Sequence, residues 1–113
     1  MIVASRTLRL IKDNITTDVV IELGGPEPDE GAWTCHYDFH WPDGRVSSFA
    51  TGVDEVQALH LALQRIGFDL YRSPHHRDRA GHLVWEQAGD GYGFPVPKNA
   101  RHLLIGSDIT FEG

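Results

Sequence analysis

The chain has 113 residues, 41% hydrophobic and 23% charged, with a net charge of −6 and a lone cysteine, Cys35. These values suit one globular domain and exclude a disordered chain and an internal disulfide. The first 60 residues hold 10 acidic and 4 basic groups and the remainder six of each, so the acidic excess lies in the first half and argues against adhesion to nucleic acid or anionic lipid.

Met1-Ile2-Val3-Ala4-Ser5-Arg6 becomes charged too early for a signal peptide. No apolar run approaches the ~20 residues that span a bilayer. The expectation is a cytoplasmic protein with no membrane attachment.

Val3 to Ile11 reads as a first strand, with Leu8 and Leu10 on one face. A turn follows at Asp13-Asn14. Thr17 to Leu23 is a second strand that points Val19, Ile21 and Leu23 one way. Residues 24–31, rich in glycine, proline and acid, read as an exposed loop.

The next segment has the clearest pattern. Trp33, Cys35, Tyr37, Phe39 and Trp41 alternate with Thr34, His36, Asp38 and His40. Alternation on a strand places one set on each face, so the aromatic set is core and the polar set faces solvent or forms a site. Pro42-Asp43-Gly44 turns the chain, and Arg45 to Ala50 returns as a strand. Two registers are open. One sets Val46, Ser48 and Ala50 beside the aromatics, and a glycine bulge sets Phe49 there instead.

Thr51, with Asp54 three residues on, predicts a capped helix start. Val56, Leu59, Leu63, Ile66 and Leu70 then recur at helical spacing as the buried stripe, widened by Ala58 and Ala62. Gly67 implies a close approach to the sheet or a break, and Pro74 ends the helix. A loop precedes a fifth strand, His82 to Gln87, with Leu83 and Trp85 inward. Lys98 to Leu104 reads as a helical turn and Asp108 to Glu112 as a short strand or a tail. The expected fold is therefore α+β: an antiparallel meander of about five strands with one long helix on its aromatic face, β-β-β-β-α-β. Residues 1–97 form the domain and 98–113 a C-terminal extension, a short helix or strand.

Several stretches carry a resemblance. Trp41-Pro42-Asp43-Gly44, the helical Gly52-Val53-Asp54-x-Val56-Gln57-Ala58-Leu59-x-Leu61-Ala62-Leu63-x-x-Ile66-Gly67, Gly81-x-Leu83-x-Trp85 and Gly89-Asp90-Gly91-Tyr92-Gly93-Phe94-Pro95-Val96-Pro97 resemble an uncharacterised bacterial family, a domain of unknown function. The likeness runs from the first strand to Pro97. It implies a bacterial, cytoplasmic protein and supplies no catalytic residue. The order of elements also resembles the small HicB-type antitoxin domain, at the level of fold alone.

Two sets of residues are candidate binding sites. His36, Asp38 and His40 offer ligand types suited to zinc or iron. Neighbours two apart lie ~6.6 Å from each other along a strand, so a metal there needs a further ligand from another segment. The structural alternative is a solvated face on which Asp38 pairs with Arg45, Arg9 or a histidine. The second set is Arg72, His75, His76, Arg77 and Arg79, a concentration of positive charge suited to a phosphate or an acidic partner. Its structural alternative is a soluble connection after the helix. The 89–93 glycines do not form a phosphate loop, because Phe94-Pro95-Val96-Pro97 cannot begin the required helix. Cys35, on the aromatic face, reads as a small buried hydrophobe.

No catalytic set converges, and no cofactor is implied. The leading reading is a non-catalytic protein-interaction module, of immunity, antitoxin-like or other inhibitor type, whose partner is another protein or a second copy. The alternative is a small metal-dependent or histidine-using enzyme, which seven histidines suggest. A nucleic-acid binder acting through Arg72, Arg77, Arg79 and Arg101 ranks last.

Overall fold

A computed structural model describes residues 1–77 and 81–112. Two long strands open the chain, β1 (Ile2–Lys12) and β2 (Ile15–Gly24). They are joined at Asp13-Asn14, both with positive φ. Such a pair of left-handed residues matches the twist of the flanking strands, which explains the tight hairpin. A short strand, β3 (Glu27–Asp29), lies inside the segment expected to be a loop. Pro28 is tolerated there because β3 pairs on one side only, with the start of β4 (Ala32–Trp41).

The hairpin from β4 to β5 (Gly44–Gly52) resolves the open register. Tyr37 pairs with Ser48, Phe39 with Val46 and Trp41 with Gly44, with no shift along the ladder. Pro42 and Asp43 alone form the loop. Val46, Ser48 and Ala50 therefore join the aromatic face, and Phe49 lies on the opposite one. The last strand, β6 (Gly81–Val84), is shorter than the expected 82–87 and pairs with the end of β1. The sheet is antiparallel, with six strands in the order β5-β4-β2-β1-β6 and β3 beside β4. The expected α+β architecture, one main helix on such a sheet, is what the chain adopts, with β3 as the added strand.

The helix α1 (Glu55–Arg72) covers the aromatic face. Its cap is Asp54, whose carboxylate accepts from Gln57 N at 2.8 Å, while Gln57 Oε1 accepts from Val53 N at 2.7 Å. The expected cap at Thr51 is displaced because β5 continues through Gly52. The buried stripe is also rotated. Ala58, Ala62, Ile66 and Leu70 are fully buried, whereas Val56 is 74% exposed and Leu59 and Leu63 are half-buried. Small side chains face the sheet because the backbones come close. A Cβ on Gly52 would lie 2.5 Å from Ala58 N, and one on Gly67 would lie 2.0 Å from Pro95 O. Gly67 thus permits close approach to the 94–95 segment, where the sequence suggested the sheet.

Those two contacts fix the path of α1. Its start packs on β5 and its later turns pass against the 92–96 segment, whose Tyr92, Phe94 and Val96 complete the core. A hollow lies between the later turns of the helix and the β4–β5 hairpin. Ser73 caps that end, and Pro74 starts a further turn, α2 (Pro74–Arg77), instead of ending all helix. A 3₁₀ segment at Lys98–Leu103 and a helix, α3 (Ser107–Glu112), close the chain. The latter stretch is helical, not a strand. Among the described residues no helix is long and apolar enough to cross a membrane.

Candidate functional site

The outer face of β4 and β5 holds the first predicted set. Asp38 accepts from Arg45 Nη2 at 2.7 Å and from Ser47 Oγ. The hydrogen bonds from Arg45 and Ser47 hold the Asp38 carboxyl below the usual carboxylate range. His40 Nε2 meets Glu22 Oε1 across the β2–β4 ladder. His36 is exposed, its ring 5.8 Å from that of Phe49. His36 and His40 stand about 13 Å apart along the strand, with Asp38 between them and turned to Arg45. This is a lattice of direct and diagonal cross-strand pairs, and it does not draw the three residues to one point. Among the described residues no group of three or more His, Cys, Asp or Glu side chains is arranged to hold a metal ion.

The second predicted set is divided. His75 stacks on Trp41, ring centroids 4.4 Å apart, with Nε2 3.7 Å from Asp43. His76 turns the other way, into a pocket of Tyr71 and Tyr92, where its Nδ1 meets the Tyr92 hydroxyl. Burial lowers the pKa of His76 and raises that of Tyr92. The ring is thus kept neutral and the phenol protonated, so the hydroxyl donates. Arg72 is exposed, its guanidinium carbon 5.4 Å from the Phe68 ring centroid. Arg77 closes α2, and Arg79 lies outside the described residues.

Between α1 and the β4–β5 hairpin lies a wedge that the sequence reading did not contain. It encloses about 420 Å³. Phe39 and Trp41 form its floor, Val46, Ser47 and Ser48 its strand wall, and Arg65, Asp69 and Arg72 its helix wall. The three helix residues are spaced i, i+4, i+7, so they share one face beside the buried stripe. That spacing was present in the sequence. The strand wall that faces it was not. Asp69 is held toward the core, accepting from Tyr37 O–H at 2.9 Å. Desolvation is the main reason the Tyr37 pKa is raised, so its phenol remains the donor. Arg65 and Arg72 are exposed and form no ion pair among the described residues. A second hollow of about 360 Å³ shares Trp41 and Val46 and continues past Arg45 and His75 around the hairpin tip.

The wedge opens at a free sheet edge. Among the described residues β5 pairs with β4 alone. Trp41 and Gly44 close a two-residue hairpin, so bonded pairs recur at Gly44, Val46, Ser48 and Ala50. The backbone N–H and C=O of Arg45, Ser47, Phe49 and Thr51 consequently face outward.

A polar cluster also missed in the sequence is built around Tyr71 of the last turn of α1. Asp108, 2% exposed, accepts from Tyr71 O–H, from Tyr92 N at 2.9 Å and from Gly93 N at 2.8 Å. Gly89, Gly91 and Gly93 have positive φ, and this glycine-rich turn aims two of its N–H groups at a carboxylate of the chain itself. Arg6 lies nearby, its Nη1 donating to Tyr92 O and Gly93 O, both at 3.0 Å. The cluster ties residues 98–112 to the rest of the fold, and a hollow of about 200 Å³ lined by Trp85, Glu86, Asp90, Gly91, Ser107 and Asp108 lies beside it.

Residues 4–96 match the family model described as Domain of unknown function (DUF6968). No curated protein and no solved structure matches the chain.

Proposed function

We propose, from the premise that the chain belongs to the DUF6968 family, that it is a non-catalytic protein-interaction module of the bacterial cytoplasm which takes a protein partner on the β5 side of its sheet. One observation carries this reading: the nine-residue edge of β5 is regular and, among the described residues, unpaired, and it runs beside a wedge with an apolar floor. Natural sheets rarely leave such an edge open. They blunt it with charge, proline, bulges or shortness. The other edges here carry such devices. β3 has Glu27, Pro28 and Asp29, β1 has a register shift between Ile2 and Ala4, and β6 has four residues. β5 has only Arg45 as a charge, and that charge is turned to Asp38. An inhibitor role, of immunity or antitoxin type, fits the small size and acidity.

The test is capture of a partner from a bacterial lysate by the immobilised, tagged chain, with Ser47→Pro as the comparison and a metal assay on the same eluate. Ser47 points its N–H outward, so proline there spoils the edge while keeping the β4 ladder. One protein recovered near equal stoichiometry by the wild type and lost from Ser47→Pro is the expected result. Equal recovery by both moves the interface away from β5. No partner, with a metal retained through dialysis, would replace this reading with the histidine-using enzyme.

A further inference from the structure

We propose that the wedge receives an extended acidic segment of the partner, which adds to β5 as a further strand. This rests on the interaction reading above and names the chemistry of what binds.

The outward N–H and C=O groups of Arg45, Ser47, Phe49 and Thr51 supply the ladder positions an incoming strand needs. Alternate side chains of that strand then fall on the wedge side. There they meet Trp41 and Val46, the latter 50% exposed, which suits an apolar residue. Above this floor stand Arg65 and Arg72, on a helix that carries them to one face. Asp69, the carboxylate of the same wall, is engaged by Tyr37. Two guanidinium groups against one carboxylate leave the rim cationic over an apolar floor, in a chain whose net charge is −6. Guanidinium groups bind carboxylates in a bidentate fork, so the complementary segment carries Asp or Glu next to an apolar residue. A second copy of this chain fits less well, because its β5 has Arg45 as its one charged residue and supplies no carboxylate.

The experiment is selection of a phage-displayed random decapeptide library on the immobilised full chain. The enriched peptide is then labelled with fluorescein and titrated by anisotropy at low and high salt. Enriched sequences are expected to combine Asp or Glu with an apolar residue. Affinity is expected to fall about tenfold or more with salt and in Arg65→Glu/Arg72→Glu, whose exposed side chains do not support the core, and to be lost in Ser47→Pro. Enrichment of neutral or basic peptides, or binding indifferent to the double reversal, overturns the acidic class. No enrichment overturns the peptide site, and a partner still captured from lysate then leaves the interaction reading standing at another surface. A wild-type dimer in sedimentation that becomes a monomer in Ser47→Pro also overturns it, since a second copy then holds the edge.

Discussion

The Tyr71 hydroxyl lies 2.5 Å from the Asp108 carboxylate, and both side chains are 2% exposed. One comes from the main helix and the other from the last, so this bond joins elements 37 residues apart. Desolvation is the main reason the Tyr71 pKa is pushed far above the usual phenol range, with the bond to Asp108 adding to it. The phenol remains a donor at any physiological pH. Asp108 also satisfies two backbone N–H groups that have no other acceptor among the described residues. Its removal leaves three donors without this acceptor, two of them buried and one part-buried. Asp108→Ala is expected to cost about 3 kcal/mol and Tyr71→Phe about 2 kcal/mol in urea unfolding. The double variant should cost less than the sum, as a shared bond requires. Additive losses would mean that the two residues act separately.

His76 makes the same region sensitive to acid. Its folded pKa is lowered by burial, so the unfolded chain binds the proton more readily. Stability is therefore expected to fall as pH drops below about 6.5, and to level off once pH is below the folded value. Thermal unfolding between pH 7 and 5 reads this directly. His76→Gln should flatten the slope in that window. Asp38 acts lower on the scale. Its folded pKa is depressed, so its contribution is present above about 3.9 and lost as pH falls through the folded value. An unchanged slope in His76→Gln would assign the acid sensitivity to other groups.

How far the sequence foretold this molecule is clearest on α1 and β4. Alternation from Trp33 to Trp41 identified the core face, because a strand has one periodicity and the two sets differ sharply in polarity. The helix was placed correctly but rotated in error. Val56 is larger than Ala58, yet Ala58 is buried, because the cap at Asp54 and the contact at Gly52 set the facing. Val56→Lys is accordingly expected to change stability by no more than about 0.5 kcal/mol, and Ala62→Leu to cost about 2 kcal/mol by overpacking. Urea midpoints decide this, and a large loss in Val56→Lys would restore the stripe read from periodicity. The wedge and the Asp108 cluster were hidden for a different reason. Each depends on where separate segments meet, and spacing along one segment does not carry that information. His75 and His76, adjacent in sequence, end in different surroundings because a helical turn sends them to different sides.

Arg6 did leave a trace in the sequence, since it shares the inward face of β1 with Leu8 and Leu10. A cation on a core face calls for partners, and it has them. Its guanidinium carbon lies 3.9 Å from the Trp85 ring centroid and 4.6 Å from that of Phe94. The same nitrogen donates to the carbonyls of Tyr92 and Gly93. Desolvation lowers the Arg6 pKa, and the charges of Asp108 and Glu86 oppose that shift. A planar group is required to lie between two rings while reaching two carbonyls, and an ammonium cannot do both. Arg6→Lys is therefore expected to cost about 1–2 kcal/mol although the charge is kept. Trp85 should report the change through a red-shifted emission as water enters beside its ring. A Lys variant with wild-type stability and emission would mean that charge alone, not the planar stack, holds the 92–94 segment on β1.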